Sequence, residues 1–468
     1  MAAAAAAAAK AITAAFATSA APLAARAPTT VAPPGTSVEE WAAALGAPRS
    51  AGAPPLVAST PAAMRAARAA MDAVTWRRTD SGGRAARVGF VPTMGALHAG
   101  HLALVDAARA PVLAGRAAPP SDFVVASIFV NPTQFAPTED LATSPRTWEA
   151  DVAALAAKGV AVLYAPTAAS MYPPPALRSS TGGVPAYRTY VEVAEVDARS
   201  PEGGARPGHM RGVATVVTKL LAAVAPTTAV FGQKDGVQAV VVRTLARDLN
   251  LPVDIIVAPT ARAPHGLALS SRHAYLTPGQ RAAPPALYPA PNPVATALHD
   301  SPKGRAVLAA SRAARAAALD AARSGAGSAG STGGDLAAAK EAQAAAVEAR
   351  AAAARAPAGA DATAAHTPAT PLAPYLASLL EEARAIILAS GGADGSTTLP
   401  APADRFSEVQ YLTLSDAATG VPLARLEDST ARGGAVMLSA AARIGTTRLL
   451  DNIMLVGDVD DLGVPEVL

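Results

Sequence analysis

Two histidines, His98 and His101, stand three apart in the run Phe90-Val-Pro-Thr-Met-Gly-Ala-Leu-His-Ala-Gly-His101. An apolar stretch enters a Pro/Gly turn and a helical pattern starts at once, so both imidazoles fall on the first helical turn and share a face. The free N–H groups and the positive dipole end of that helix point the same way. Gly95 and Gly100 would let a nucleotide approach the backbone closely. This combination suits anionic phosphates, with the imidazoles stabilising charge that develops in phosphoryl or nucleotidyl transfer. On its own such a pair is more often a metal site or two surface residues; the strand–turn–helix setting shifts the balance to nucleotide binding.

Three further segments carry chemistry. In Val230-Phe-Gly-Gln-Lys-Asp235, Lys234 is a mobile point charge suited to phosphate oxygens, and Asp235 could orient it or receive a ribose hydroxyl. Alone, this would be a helix-start Asp cap beside a solvated Lys. In Gly266-Leu-Ala-Leu-Ser-Ser-Arg272, the hydroxyls of Ser270 and Ser271 and the Arg272 guanidinium make either a phosphate clamp or a simple ST-turn. In Phe129-Val-Asn-Pro-Thr-Gln-Phe135, Asn131 and Gln134 offer neutral donors and acceptors for a hydroxy acid, although Asn-Pro is also a turn starter. Each of these segments follows a predicted strand, and open α/β sheets bind ligands beyond the carboxyl ends of their strands.

The elements that must hold these residues alternate. Strands are predicted at 87–91, 123–130, 160–164, 229–231 and 254–257, and helices at 61–74, 100–109, 148–158, 212–224 and 237–249. Thr60 is the expected cap of the first helix, with Pro61 at its first position. Continuous apolar strands separated by helices argue for a parallel sheet covered on both faces. Thr189 to Val196 alternates with period two and reads as a half-exposed antiparallel element. The segment 286–373 is dominated by Ala, Arg, Ser and Gly and buries too little apolar surface to offset its ordering entropy, although Leu336 to Arg355 could form alanine-rich helix. A helix at Pro374–Ala389 and strands at 407–414 and 435–441 then form a small α+β unit, closed by 447–453. The predicted class is α/β: a Rossmann-like parallel-sheet domain with a second, smaller α+β domain.

Composition removes several alternatives. With no cysteine, there is no disulfide framework, thiolate nucleophile or cysteine-bound zinc. A net charge of +3 over 468 residues is a poor argument for nucleic-acid binding, and no bulky apolar run reaches bilayer length. Glu39 is the first acid, and only Lys10 and Arg26 are charged before it. That start reads either as an organellar transit peptide, for plastid or mitochondrion, or as alanine-rich coding bias on a disordered leader in a cytoplasmic protein.

Together, the segments Val91 to His101, Ser127 to Phe135, Arg206-Pro-Gly-His-Met-Arg-Gly212, Phe231 to Asp235 and Leu269 to Arg272 resemble the pantothenate synthetase (pantoate–β-alanine ligase) family. The resemblance runs from about Leu56 to Tyr288 and resumes from about Pro374 to Leu455. It implies condensation of pantoate with β-alanine in two steps. The pantoate carboxylate attacks the α-phosphorus of Mg-ATP, giving pantoyl adenylate and pyrophosphate, and the amine of β-alanine then displaces AMP. It also implies that Met94, Gly95, Ala96, Leu97, His98, Ala99, Gly100 and His101, with Gly232, Gln233, Lys234, Asp235, Leu269, Ser270, Ser271 and Arg272, form the ATP site.

Within that site, His98, His101, Lys234 and Arg272 would be the catalytic group. Gln134 and Gln238, with Asn131 beside them, would hold pantoate and β-alanine. Glu202 and Arg206 would match a mobile gate, and Asp151 a Mg²⁺ or structural partner. A homodimer is implied as well. Expected domains are an extension at 1–55, the ATP/pantoate domain at 56–265, the small domain at 266–285 and 374–468, and the insertion at 286–373.

Departures from the family pattern are Gly236-Val237 after Asp235, His265 before Gly266, His273 after Arg272, Ser144 before Pro145, and Ala150 beside Asp151. They bear on rate and affinity more than on reaction type. Two rival readings are a nucleotidyltransferase whose product keeps the nucleotide, and a non-catalytic relative that binds nucleotide or a partner.

Overall fold

The computed structural model describes residues 31–33, 35–48, 50, 52–78, 83–113, 116–135, 147–172, 189–264, 266–277, 280, 380–381, 383–385, 388, 406–416, 421–423 and 436–456. The expectations placed on residues 1–30, on Ser144 and His265, on the 286–373 insertion and on most of the Pro374–Ala389 helix lie outside the described residues. Of that last helix, Leu380, Glu381, Ala383, Arg384, Ala385 and Leu388 are described, and they are helical.

Strands β1 (Leu56–Ala58), β2 (Val88–Thr93), β3 (Phe123–Ile128), β4 (Val162–Tyr164), β5 (Thr228–Gly232) and β6 (Asp254–Ala258) make a six-stranded parallel sheet in the order β1-β4-β3-β2-β5-β6. Alternate residues of these strands feed two cores, as the two-residue side-chain period requires. Val88, Phe90, Val125, Val162 and Tyr164 join Met64, Met71, Val217 and Leu220 on one face. Val57, Val91, Val124, Ala126, Leu163 and Val230 join Val105, Ala108 and Leu155 on the other. Burial on both faces is why these strands read as unbroken apolar runs.

The helices that make these layers are α1 (Val38–Gly46), α2 (Pro61–Arg78), α3 (Ala99–Arg109), α4 (Trp148–Ala157), α5 (Ala168–Met171), α6 (Ala194–Arg199), α7 (Pro201–Ala205), α8 (His209–Val224) and α9 (Gly236–Asp248). Thr60 caps α2 as expected, its Oγ1 accepting from Ala63 N at 3.1 Å. Met64, Ala67, Met71 and Val74, at three- and four-residue spacing, form the inner face of α2. None of the described helices is long and apolar enough to cross a membrane.

Two corrections follow. The 1–55 extension is not wholly an appendage, because Val31 bridges to Val57 and α1 packs Trp41, Ala42 and Leu45 into the main core. A capping box between Ser37 and Glu40 starts α1. Nor is the 189–196 segment a strand. Residues 189–193 pair with no strand, and Ala194 begins α6. The alternating Val191, Val193 and Val196 pack beside Met210 and Ala214 of α8 instead of facing a sheet.

Strands β7 (Phe406–Asp416), β8 (Val436–Ile444) and β9 (Thr447–Val456) form a separate antiparallel sheet in the order β9-β8-β7. The smaller sheet leans on the larger unit where α9 begins. A Cβ on Gly236 would lie 2.3 Å from Met437 Sδ and 3.3 Å from Asn452 Cβ. Glycine in place of a larger residue is what permits this approach.

Candidate active site

The strand order reverses between β2 and β5, so a crevice opens beyond their carboxyl ends, where open α/β sheets take ligands. Residues 94–101 leave β2 along one side of it, and residues 232–235 leave β5 along the other. After β2 the chain turns through two left-handed residues, Gly95 at φ 88° and Ala96 at φ 51°. For Ala96 that conformation costs about 1–2 kcal/mol.

Asp151, reaching in from α4 and 3% exposed, holds the turn: Oδ2 accepts from Ala96 N at 2.9 Å and Oδ1 from Leu97 N at 2.8 Å. Both carboxylate oxygens are therefore committed to backbone amides. Asp151 thereby serves as a structural partner of the turn. Among the described residues no group of three or more His, Asp or Glu converges to hold a metal ion.

His98 caps α3 and His101 occupies its third position. His98 Nδ1 accepts from Gly100 N at 3.1 Å, while His101 Nδ1 accepts from His98 N at 3.3 Å. The pair thus forms a capping box made of two imidazoles, with ring centroids 4.1 Å apart. A side chain on Gly100 would strike the His98 ring at 2.9 Å. Acceptance at Nδ1 puts the proton of each neutral ring on Nε2, leaving an N–H donor for a phosphate oxygen.

Both rings are held neutral. Burial lowers the His98 pKa to about 3, helped by His101, Lys234 and His273 and opposed by Asp235. Burial and then Lys234 lower His101 to about 4. The protonated forms are favoured only after unfolding, so the unfolded chain binds more protons between the ordinary value of 6.5 and these lowered ones. Stability is expected to fall as pH drops from about 6.5 towards 4. Urea midpoints across that range check this: a His98→Gln/His101→Gln double variant should show a flatter pH slope, and an unchanged slope would contradict the assignment.

The same electrostatic couplings place the other predicted groups. Lys234 acts on both imidazoles, and Asp235 and His273 act on His98. Leu269 lies beside the start of α3, its N donating to Ala261 O at 2.9 Å where a Cβ on Gly100 would sit 3.5 Å from Ala261 Cβ. Gln233, Lys234 and Asp235 form a single 3-10 turn before α9. Ser270 caps the 3-10 turn Ser271–Tyr275, its Oγ accepting from Arg272 N at 3.2 Å, which is the ST-turn of the two expected readings. Arg272 also donates to the backbone carbonyl of Arg448 at 3.2 Å.

Asn131, expected to meet a hydroxy acid, is 1% exposed and fully occupied. Its Oδ1 accepts from Tyr172 Oη at 2.8 Å and from Thr133 Oγ1 at 3.0 Å. Its Nδ2 donates to Gln134 Oε1 at 3.0 Å and to Gly212 O at 3.2 Å. Asn131 therefore positions Gln134 instead of meeting a ligand itself. Gln134 Nε2 reaches Met94 Sδ at 3.4 Å, and Met94 is 44% exposed. Gln238 lines a narrow cleft with Glu202, Arg206, His209, Asp235 and Asn452.

The gate residues are clamped in this structure. Glu202 is 5% exposed and Arg206 donates to it at 3.3 Å. Burial would raise the Glu202 pKa, but Arg448, Tyr411 and Arg206 outweigh it and bring it to about 2.

Gly212, which ends the Arg-Pro-Gly-His motif, packs directly beneath the Gln134 turn. A Cβ there would lie 2.4 Å from Thr133 O and 2.8 Å from Gln134 Cα. Gly212→Ala is expected to destabilise the protein by about 1–3 kcal/mol through overpacking against rigid backbone. It should also raise the KM for the acid substrate; thermal midpoints and initial rates check the two effects.

The crevice thus brings together two imidazoles that each accept at Nδ1, with Lys234 in electrostatic range of both, beside the Gln134 amide that reaches Met94. A family model described as pantoate-beta-alanine ligase matches residues 58–352, more than half of the chain. That match runs on into the alanine-rich segment, beyond Tyr288. A pantothenate synthetase of Chloroflexus aggregans is 53% identical over 201 residues, which span 43% of this chain and 65% of that relative. One of Acidiphilium cryptum is 49% identical over 251 residues, spanning 54% of this chain and 80% of that one. The crystal structure of pantothenate synthetase from Thermus thermophilus is similar with a TM-score of 0.51 at 31% identity, covering 86% of this chain and 99% of that one.

Proposed function

The chain belongs to the pantoate-beta-alanine ligase family, and from that premise we propose that it condenses pantoate with β-alanine at the expense of ATP, releasing AMP and pyrophosphate. The observation that carries this reading is the pair of imidazoles that caps α3, each accepting a backbone N–H at Nδ1, at the crevice between β2 and β5. Carboxylate and triphosphate are both anionic and repel until fixed positive charge and N–H donors screen them.

In the first step a pantoate oxygen bonds to the α-phosphorus and the bond to pyrophosphate breaks. The Nε2–H groups of His98 and His101 donate to phosphate oxygens without themselves titrating. Lys234 and Arg272 neutralise the charge that gathers on the transferred and leaving phosphates, with Ser270 and Ser271 beside them. The glycine-bearing turns at Gly95 and Gly232 let the nucleotide approach the backbone, while the N–H groups of Gly95, Ala96 and Leu97 stay on Thr93 and Asp151. Gln134 and Gln238 align pantoate, and alignment itself supplies much of the rate. In the second step the amine of β-alanine bonds to the pantoyl carbonyl carbon, AMP leaves with the carbonyl–oxygen bond, and the nitrogen loses its proton.

The described residues form no cage for Mg²⁺, so in this reading the ion arrives on the nucleotide and no step is assigned to it. Purified protein supplied with ATP, pantoate and β-alanine is expected to release AMP only when both acids are present. AMP release without β-alanine, or a product that retains the nucleotide, would contradict ligation; bound ATP without pantoate-dependent pyrophosphate exchange would favour the non-catalytic reading. We further propose a homodimer, checked by sedimentation. An organellar address is proposed too, supported by the absence of acids before Glu39. In that case the mature N-terminus should fall ahead of Val31, which bridges to Val57 of the sheet, and N-terminal sequencing reads it directly.

A further inference from the structure

Strand β9 belongs to the small sheet and carries none of the chemistry above, yet its polar side chains reach both halves of the site. Arg448 is 7% exposed and lies bidentate on Glu202, with NH2 on Oε2 at 2.6 Å and NH1 on Oε1 at 3.1 Å. Tyr411 Oη adds a hydrogen bond to Oε2 at 2.7 Å, and Gln410 Oε1 accepts from Arg448 Nε at 2.6 Å.

From Glu202 the contacts continue inward. Arg206 NH1 donates to Glu202 at 3.3 Å and to His209 Nε2 at 2.9 Å. His209 Nδ1 donates to the Gln134 carbonyl at 2.7 Å, and Arg206 NH2 donates to the same carbonyl at 3.4 Å. Every link from Arg448 to Gln134 is therefore a direct hydrogen bond. Four residues further along β9, Asn452 is 4% exposed and its Nδ2 donates to the backbone carbonyl of Lys234. Asp451 holds Arg262 with bonds of 2.6 and 2.9 Å, and Arg262 in turn holds the Gly266 carbonyl at 3.0 Å, just ahead of Leu269.

We propose that β9 is the positioning strand of this site, and that it serves the two substrates separately. Arg448 sets the pocket for the carboxylic acid through Glu202, Arg206 and Gln134, while Asn452 sets Lys234 against the triphosphate. Each acts as a positioning residue, through Glu202 and through the Lys234 carbonyl respectively. The proposal rests on the ligase reading above. A buried bidentate guanidinium suits the task because its planar fork fixes both oxygens of Glu202, which a single ammonium cannot do.

The test is a pair of opposed signatures in pantoate-dependent ATP–pyrophosphate exchange, measured on the full chain. Arg448→Met is expected to raise the KM for pantoate by about tenfold and leave the KM for ATP within about twofold. Asn452→Leu is expected to raise the KM for ATP and lower kcat while the KM for pantoate holds. Arg448→Lys should fall between Arg448→Met and the parent chain. Arg448→Met leaves Glu202 short of its main partner and could unfold, so Tyr411→Phe is the second variant. It removes one bond to Glu202 and should raise the pantoate KM about two- to fivefold.

If both substitutions move both KM values together, or neither moves either, β9 is ordinary scaffold and the proposal is overturned. If the parent chain shows no exchange at all, the ligase reading fails instead. Calorimetric titration with ATP alone then still reads the Asn452 arm, and an unchanged affinity in Asn452→Leu overturns the proposal.

Discussion

Lys234→Ala is expected to lower kcat/KM for the adenylation step by about a hundredfold to a thousandfold, the loss typical when one preorganised charge-stabilising donor is removed. The reason lies in the protonation of its neighbours. Both imidazoles are held neutral, at pKa values near 3 and 4, so they donate hydrogen bonds but bring no net charge to the phosphates. In the proposed reaction the positive charge is assigned to Lys234 and Arg272. Lys234 is the cleaner probe of the two. Its backbone carbonyl is held by Asn452 and its peptide lies in a 3-10 turn, so truncating the side chain leaves the scaffold intact. His101→Ala would also remove the acceptor for His98 N and weaken the α3 cap, mixing a stability loss with a rate loss. Single-turnover pyrophosphate release, with the thermal midpoint measured in parallel, separates the effects. A loss below tenfold with an unchanged fold would remove Lys234 from the chemistry.

The largest effect on stability should come from a residue far from the crevice. Trp41→Ala is expected to destabilise the protein by about 3–5 kcal/mol, the range for deleting a large buried aromatic. Trp41 is 1% exposed and lies in one core with Met64, Met71 and Val74 of α2, in a region that precedes the span matched by the family model. A removable leader would tolerate the change. Chemical denaturation gives the answer: a midpoint equal to that of the parent chain would mean that α1 is not integral to the fold. The kinetic constants of the folded fraction should be nearly unaffected, since α1 lies on the sheet's outer layer and contributes nothing to the crevice.

The parallel sheet was legible because burial on both faces leaves an unmistakable signature, as in Phe123 to Ile128, where nearly every residue is closed to solvent. The left-handed turn at Gly95 and the helix start at the His pair were legible as well, since a glycine turn directly before a helical pattern has few other readings. The signal for α1 was present, in the Ser37–Glu40 capping pair with Trp41 and Leu45 four apart, but it was submerged in alanine. Residues 189–196 misled because alternation over so few positions also arises when three valines lean on a neighbouring helix. Asn131 showed its chemistry but not its commitments: a residue type does not reveal that Tyr172, Thr133, Gln134 and Gly212 already occupy its hydrogen-bonding capacity. Asp151 is the same case. The roles of Arg448 and Asn452 depend on partners so remote along the chain that no local pattern encodes them.

Those long reaches also govern when the enzyme becomes competent. Glu202 meets Arg448 across 246 residues and Lys234 meets Asn452 across 218. A ribosome that has released only the parallel sheet has delivered both histidines and the lysine, yet neither the Asn452 that holds the lysine's carbonyl nor the Arg448 that holds Glu202. The newborn polypeptide would pass through a long interval as an unarmed nucleotide fold, gaining its working geometry only once translation has moved past position 452.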